Sequence, residues 1–143
     1  MLSQPVLYLS KHIIMNKADY YYRLGAVTQR ARWKDWILYM LDAVEKTSVI
    51  TNNLINEIFQ QMETTLEYGK NKIKWYNKEL NEAIFSQPYM KPKIIGDILE
   101  KTSRTTLTKY MAELVNAKIL IPKKEGTKIY YLNDDLIRIL QNN

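Results

Sequence analysis

The chain has 143 residues, 46% of them apolar, a formal charge of +6 and no cysteine. That length holds one ordinary domain or two small units, and the apolar share argues against disorder. The lack of cysteine excludes disulfides, thiol nucleophiles and Cys-based zinc sites. No apolar run reaches membrane-spanning length, because Lys11, His12 and Lys17 interrupt the N-terminal one, so a cytoplasmic protein with no membrane partner is expected.

In chain order, Ser3-Gln4-Pro5 is a helix start, with Ser as cap and Pro in the first turn, where its missing N–H costs nothing. Val6, Leu7, Leu9, Ile13 and Ile14 then form an apolar stripe, so a helix is expected over 3–16. Asn16 ends it and caps a second helix, with Asp19 in the first turn and Tyr20, Leu24, Val27 and Ala31 on one buried face. Both helices are short and need a partner surface. From Trp33 to about Tyr68 the apolar positions Ile37, Met40, Val44, Leu54, Ile58, Met62 and Leu66 recur at helical spacing. Thr47 and Thr51 interrupt that seam, which disfavours a strict coiled coil. A helix of this length spans roughly 50 Å and must pack on a neighbour or bridge two units. Gly69, followed by Lys70, Lys72 and Lys74, suggests a break or kink.

From Asn77 the units shorten. Leu80, Ala83, Ile84 and Phe85 give a small helix stopped at Gln87-Pro88, and Lys91–Leu99 gives another with Ile94, Ile95, Ile98 and Leu99 inward. Glu100-Lys101-Thr102 turns the chain, and Ser103 caps a third helix. Its buried side is Leu107, Met111, Leu114 and Val115; Thr105, Thr108, Lys109, Ala112 and Asn116 lie opposite. Ile119–Ile121 and Ile129–Leu132 read as strands around Lys123–Lys128, a hairpin with Gly126 in its turn, where Pro122 demands an edge position. Leu136, Ile137, Ile139 and Leu140 close with a terminal helix. The fold class is therefore mainly α: a helical scaffold with one long helix over 1–76, then a winged helix-turn-helix with a small β-hairpin over 77–143.

Charge is concentrated in that second part. Residues 91–128 hold nine Lys/Arg against four acids, a surplus of five in a chain whose total is +6. Such a footprint suits counterion release from phosphates, and equally a solvated lysine-rich surface. In a winged helix-turn-helix the N-terminal residues of the recognition helix meet base edges in the major groove. Ser103, Arg104, Thr105, Thr106, Thr108 and Lys109 occupy that region, and Lys123, Lys124 and Lys128 on the wing are set for phosphates. Few Asn or Gln share this face, so base-specific readout would be thin. The other reading is a packing module whose helix faces a protein partner.

Catalytic chemistry has little to work with. His12 is the sole histidine, the carboxylates are spaced as surface charges, and no Gly-rich phosphate loop occurs, so no catalytic residue, metal or cofactor is assigned. Trp33, Trp36 and Trp75 sit among tyrosines at helical spacing, which is more often packing than a cofactor box.

The stretch LYLSKHIIMNKADYYYRLGAVTQRARWKDWILYMLDAVEKT, residues 7–47, resembles the end of a Fic (filamentation induced by cAMP) domain and the long helix after it. The segment from about 77 to 132, with SRTTLTKYMAEL as recognition helix, is similar to the C-terminal winged module of many bacterial Fic proteins. The family transfers AMP to target hydroxyls with a His-Pro-Phe-x-x-Gly-Asn-Gly-Arg loop, and the resemblance implies that this loop lies just upstream of Met1. It does not occur in this chain, and neither does the inhibitory Ser/Thr-x-x-x-Glu-Gly/Asn motif; His12 is not followed by Pro-Phe, and Arg32 departs from the helix-capping residue usual in relatives. The chain is thus expected to be the non-catalytic C-terminal region of a Fic-type AMP-transferase, its winged helix a DNA-binding or regulatory module. The alternative is an interaction or dimerisation module that positions the Fic domain or recruits its target. Helices 3–16 and 17–31 would be pieces of a core whose remainder is missing, and their unpaired apolar faces point to a homodimer through residues 3–66.

Overall fold

A computed structural model describes residues 7–100, 103–126 and 128–142, without the side chain of Lys128. In chain order it contains α1 (Leu9–Met15), α2 (Lys17–Arg30), α3 (Trp33–Lys72), α4 (Lys78–Ser86), β1 (Tyr89–Met90), α5 (Pro92–Ile98), α6 (Arg104–Asn116), β2 (Ile121–Glu125), β3 (Lys128–Leu132) and α7 (Asp134–Asn142). The mainly helical class with a small sheet and one long helix is therefore the observed one. Two compact units meet inside α3, Met1–Ile55 and Asn56–Asn143. The second unit takes in the C-terminal part of the long helix.

In the first unit, neither α1 nor α2 has a buried residue. Ile14, on the expected inward stripe of α1, is 70% exposed, and Leu24 of α2 is also exposed. Asn16 acts backward: its side-chain Nδ2 donates to the His12 carbonyl at 2.9 Å and it makes no cap bond to α2. The chain leaves α2 through Ala31 in the left-handed region, at φ 51°. On α3 the inward positions here are Tyr39 and Ala43, whereas Ile37 and Val44 are exposed, so the seam is rotated from the expected one. Tyr20, Trp36 and Tyr39 pack ring against ring, with centroids 5.3–6.5 Å apart. The Tyr39 hydroxyl is buried without a hydrogen-bond partner, and burial holds its pKa above the ordinary tyrosine value. The expected Ser3 cap and the start of the helix at 3 lie outside the described residues.

The second unit has a continuous core: Ile73, Tyr76, Leu80, Ile84, Phe85, Met90, Ile95, Met111, Leu114, Ile119, Leu120 and Leu136. Ile58, Met62 and Leu66 of α3 pack against it, as the helical spacing implies. Gly69 does not break α3, which runs on to Lys72. Its function is close approach: a Cβ there would stand 2.5 Å from the buried ring of Tyr76. Tyr76 in turn donates its hydroxyl to Asn81 Oδ1 at 2.7 Å, and Asn81 Nδ2 donates to the Met62 carbonyl at 3.0 Å. This chain of bonds ties the end of α3 to α4 through buried polar groups, each with a partner. Asn77 starts α4 by accepting the Leu80 N–H at 2.8 Å, as a cap should.

The sheet has the order β1-β3-β2, all antiparallel. β1 is too short to show a period in the sequence, and Ile119 and Leu120 are buried before the first hairpin strand begins, at Ile121. Pro122 lies on β2, an edge, where no neighbour needs its missing N–H. Asn133 joins sheet to helices: it is buried, its side chain donates to the Ile84 carbonyl at 3.1 Å, and its Oδ1 accepts the Leu136 N–H to cap α7.

Candidate nucleic-acid interface

Helix α5 starts on Pro92 at its first turn and buries Ile95 and Gly96. Glu100 follows in the left-handed region at φ 52°, which reverses the chain; Lys101 and Thr102 lie outside the described residues. Ser103 occupies the cap position of α6 but its side chain makes no cap bond. Met111 and Leu114 anchor α6 in the core at 1% and 0% exposure. At 100° per residue, that anchoring turns Arg104, Thr105, Thr108, Lys109, Ala112 and Asn116 outward, and all six are exposed. Ser103 is exposed as well. Thr106 is half-buried, on the flank that carries Tyr110 and Glu113. The Thr108 hydroxyl donates to the Arg104 carbonyl at 2.9 Å, which leaves its oxygen facing outward as an acceptor.

The register of the hairpin separates the wing lysines. Lys123 pairs with Tyr130 and Lys124 with Ile129. Successive strand residues alternate faces, so the two lysines lie on opposite sides. Lys124 and Ile129 share the side of Tyr131 and Met90, which packs on the helices. Lys123 lies on the outer side, with Tyr130 and its edge-on neighbour Tyr89 at 6.4 Å between centroids. Both lysines are exposed. Lys128 pairs across the hairpin with Glu125. Lys123 and Lys124 therefore leave the wing on opposite faces of the sheet.

A cluster that the sequence did not reveal flanks α6. Trp75, in the segment after α3, stacks on Tyr110 with ring centroids 4.1 Å apart and planes 26° from parallel. Its indole N–H donates to Glu113 Oε2 at 2.6 Å, while Glu113 Oε1 lies 4.0 Å from the Lys109 ammonium. The spacing of Lys109 to Glu113 is legible as a helical ion pair, but a partner 38 residues away is not. Among the described residues no group of three or more His, Cys, Asp or Glu is placed to hold a metal ion, and no helix is long and apolar enough to cross a membrane.

Helix, short strand, helix, recognition helix and two-stranded wing, with the first strand paired to the last, define a winged helix-turn-helix with an exposed basic helix face. The family model for the C-terminal domain of SoFic-like protein adenylyltransferases matches residues 61–136, just over half of the chain. The chain belongs to that family. The match takes in the last turns of α3 and every element through the start of α7, which are the elements that build the core of the second unit.

Proposed function

We propose that this chain is a non-catalytic, cytoplasmic regulatory region of a Fic-type AMP-transferase whose winged helix binds duplex DNA. The exposed face of α6 supports this reading most directly: Arg104, Thr105, Thr108 and Lys109 are all free of the protein's own packing. Arg104 has the fork geometry to take guanine, and the threonines can bond to a base or touch a thymine methyl. Lys123, Lys124 and Lys128 on the wing would meet phosphates and add to the positive field. Affinity would come mainly from phosphates, with little sequence preference.

Anisotropy of a labelled duplex across a salt series tests the reading. Replacing Lys123, Lys124 and Lys128 together with Ala should weaken binding and flatten the dependence of log K on log salt, by about one for each phosphate that is no longer neutralised. No binding at low salt would overturn the proposal.

A second reading, self-association or docking against the Fic core of a parent protein, is supported by the first unit. Ile14, Met15, Leu41 and Val49 are all more than half exposed there, an apolar surface that a partner would cover. Light scattering at micromolar concentration should show a dimer, and a stable monomer would count against self-association.

A further inference from the structure

In the segment between α3 and α4, Trp75 meets the recognition helix through a chemically specific contact. Trp75 stacks on Tyr110 and gives its indole N–H to Glu113 at 2.6 Å. Glu113 is the acid one turn after Lys109, and its second oxygen stands 4.0 Å from that ammonium, at the outer limit of an ion pair. The carboxylate thus has two suitors. The indole holds it with a short, charge-assisted bond, whereas Lys109, three-quarters exposed at its side chain, holds it loosely.

We infer that Trp75 is a positioning residue for the basic face of α6: by holding the Glu113 carboxylate, it keeps Lys109 available for a phosphate. This rests on the reading of α6 as a DNA-facing helix. A carboxylate on the rim of such a face acts twice against binding. It repels phosphate directly, and it competes for the lysine at i−4, an arrangement that brings oxygen and ammonium together at little conformational cost. Without the indole N–H, Glu113 would keep only Lys109 as a charged partner within reach on α6. The stack on Tyr110 adds rigidity, since it fixes the indole plane and therefore the direction of its N–H. Trp75 touches no base or phosphate in this scheme; it acts through Glu113.

The decisive comparison uses the full chain with Trp75→Phe, which keeps a ring on Tyr110 and removes the donor. In the free protein, the NMR signal of the Trp75 indole N–H, identified by its disappearance in Trp75→Phe, should shift when Glu113 becomes Gln. An unmoved signal would overturn the inference whatever the DNA result. With a labelled duplex, Trp75→Phe should lose affinity several-fold and reduce the salt slope by about one, the equivalent of one lysine on one phosphate. Adding Glu113→Gln to Trp75→Phe should restore both, because the freed lysine no longer has a carboxylate to pair with. A purely structural role for Trp75 would show weakened binding without rescue, and that outcome also overturns the inference. If the unsubstituted chain fails to bind duplex DNA at low salt, the functional reading falls and this one falls with it. If that chain binds and Trp75→Phe binds identically, only this one falls.

Discussion

The two units of this chain spend similar amino acids in different ways. In the first, the described helices carry many large apolar side chains, yet only Tyr39 and Ala43 are buried. In the second, twelve residues from α4 to α7, together with the segment that follows α3, close over one another. Apolar periodicity alone therefore predicts a buried face in both, and is fulfilled within the chain in only one. What separates them is the number of elements that can approach. Three helices in line along the sequence give the first unit little enclosed volume, whereas four short helices and a sheet surround the core of the second.

The most direct way to break this comparison is to separate the units. A fragment of residues 56–143 should keep its helicity and melt cooperatively, because its core comes with it. A fragment of residues 1–55 should lose most of its helicity when dilute, since short helices without tertiary packing are marginal in water. Circular dichroism with thermal melting measures both. A cooperative, concentration-independent transition in the shorter fragment would contradict the contrast, and helicity that returns with concentration would point to a partner copy.

A smaller effect sharpens the account of the second unit. Gly69→Ala replaces a poor helix former by the best, which by itself favours the helix by about 1 kcal/mol. The added Cβ would nevertheless meet the Tyr76 ring at 2.5 Å, and that ring is only 4% exposed and bonded to Asn81. The net outcome should be destabilisation of about 1–3 kcal/mol, the usual range for overpacking. Denaturant unfolding would reveal it, and a stabilised variant would show that Tyr76 has room to move.

A further effect appears only at alkaline pH. Burial raises the Tyr76 phenol above its ordinary value of 10.0. The neutral form is therefore the one the fold prefers, so its contribution is complete below pH 10 and declines as pH rises toward the folded-state value. Stability of the second unit should fall by on the order of 1 kcal/mol per pH unit over that alkaline range, on top of any other titration. Tyr76→Phe should lower stability at neutral pH, since Asn81 loses its donor, but should flatten the alkaline decline. An equally steep decline in that variant would assign the effect to other groups.

Several features follow from local chemistry and are legible in the residues themselves. Asn77 begins α4 because its side chain can take the Leu80 N–H. Pro122 requires an edge, and β2 is one. The spacing of Met111 and Leu114 decides which side of α6 is exposed, and hence that Arg104, Thr105, Thr108 and Lys109 are together. The family itself is also legible, from the winged module that the family model matches. Other features depend on contacts across the chain. Gly69 looks like a helix end by its type, and is a contact point because Tyr76 folds back onto it. Two residues are too few for β1 to show a period, and the strand exists because β3 pairs with it.

The wing lysines and Trp75 mark the same boundary at the candidate site. Composition alone identifies a basic segment with a surplus of positive charge, since charge belongs to residues wherever they lie. Which of those charges share a side is decided by strand register, which puts Lys124 with the helix-packed face and Lys123 on the other. Which of them is opposed by a carboxylate is decided by a tryptophan 38 positions away. Residue type and helical period determined the fold class, the recognition helix and its charge; long-range pairing alone decided how that charge is arranged, because register and side-chain partnership arise only when distant segments meet.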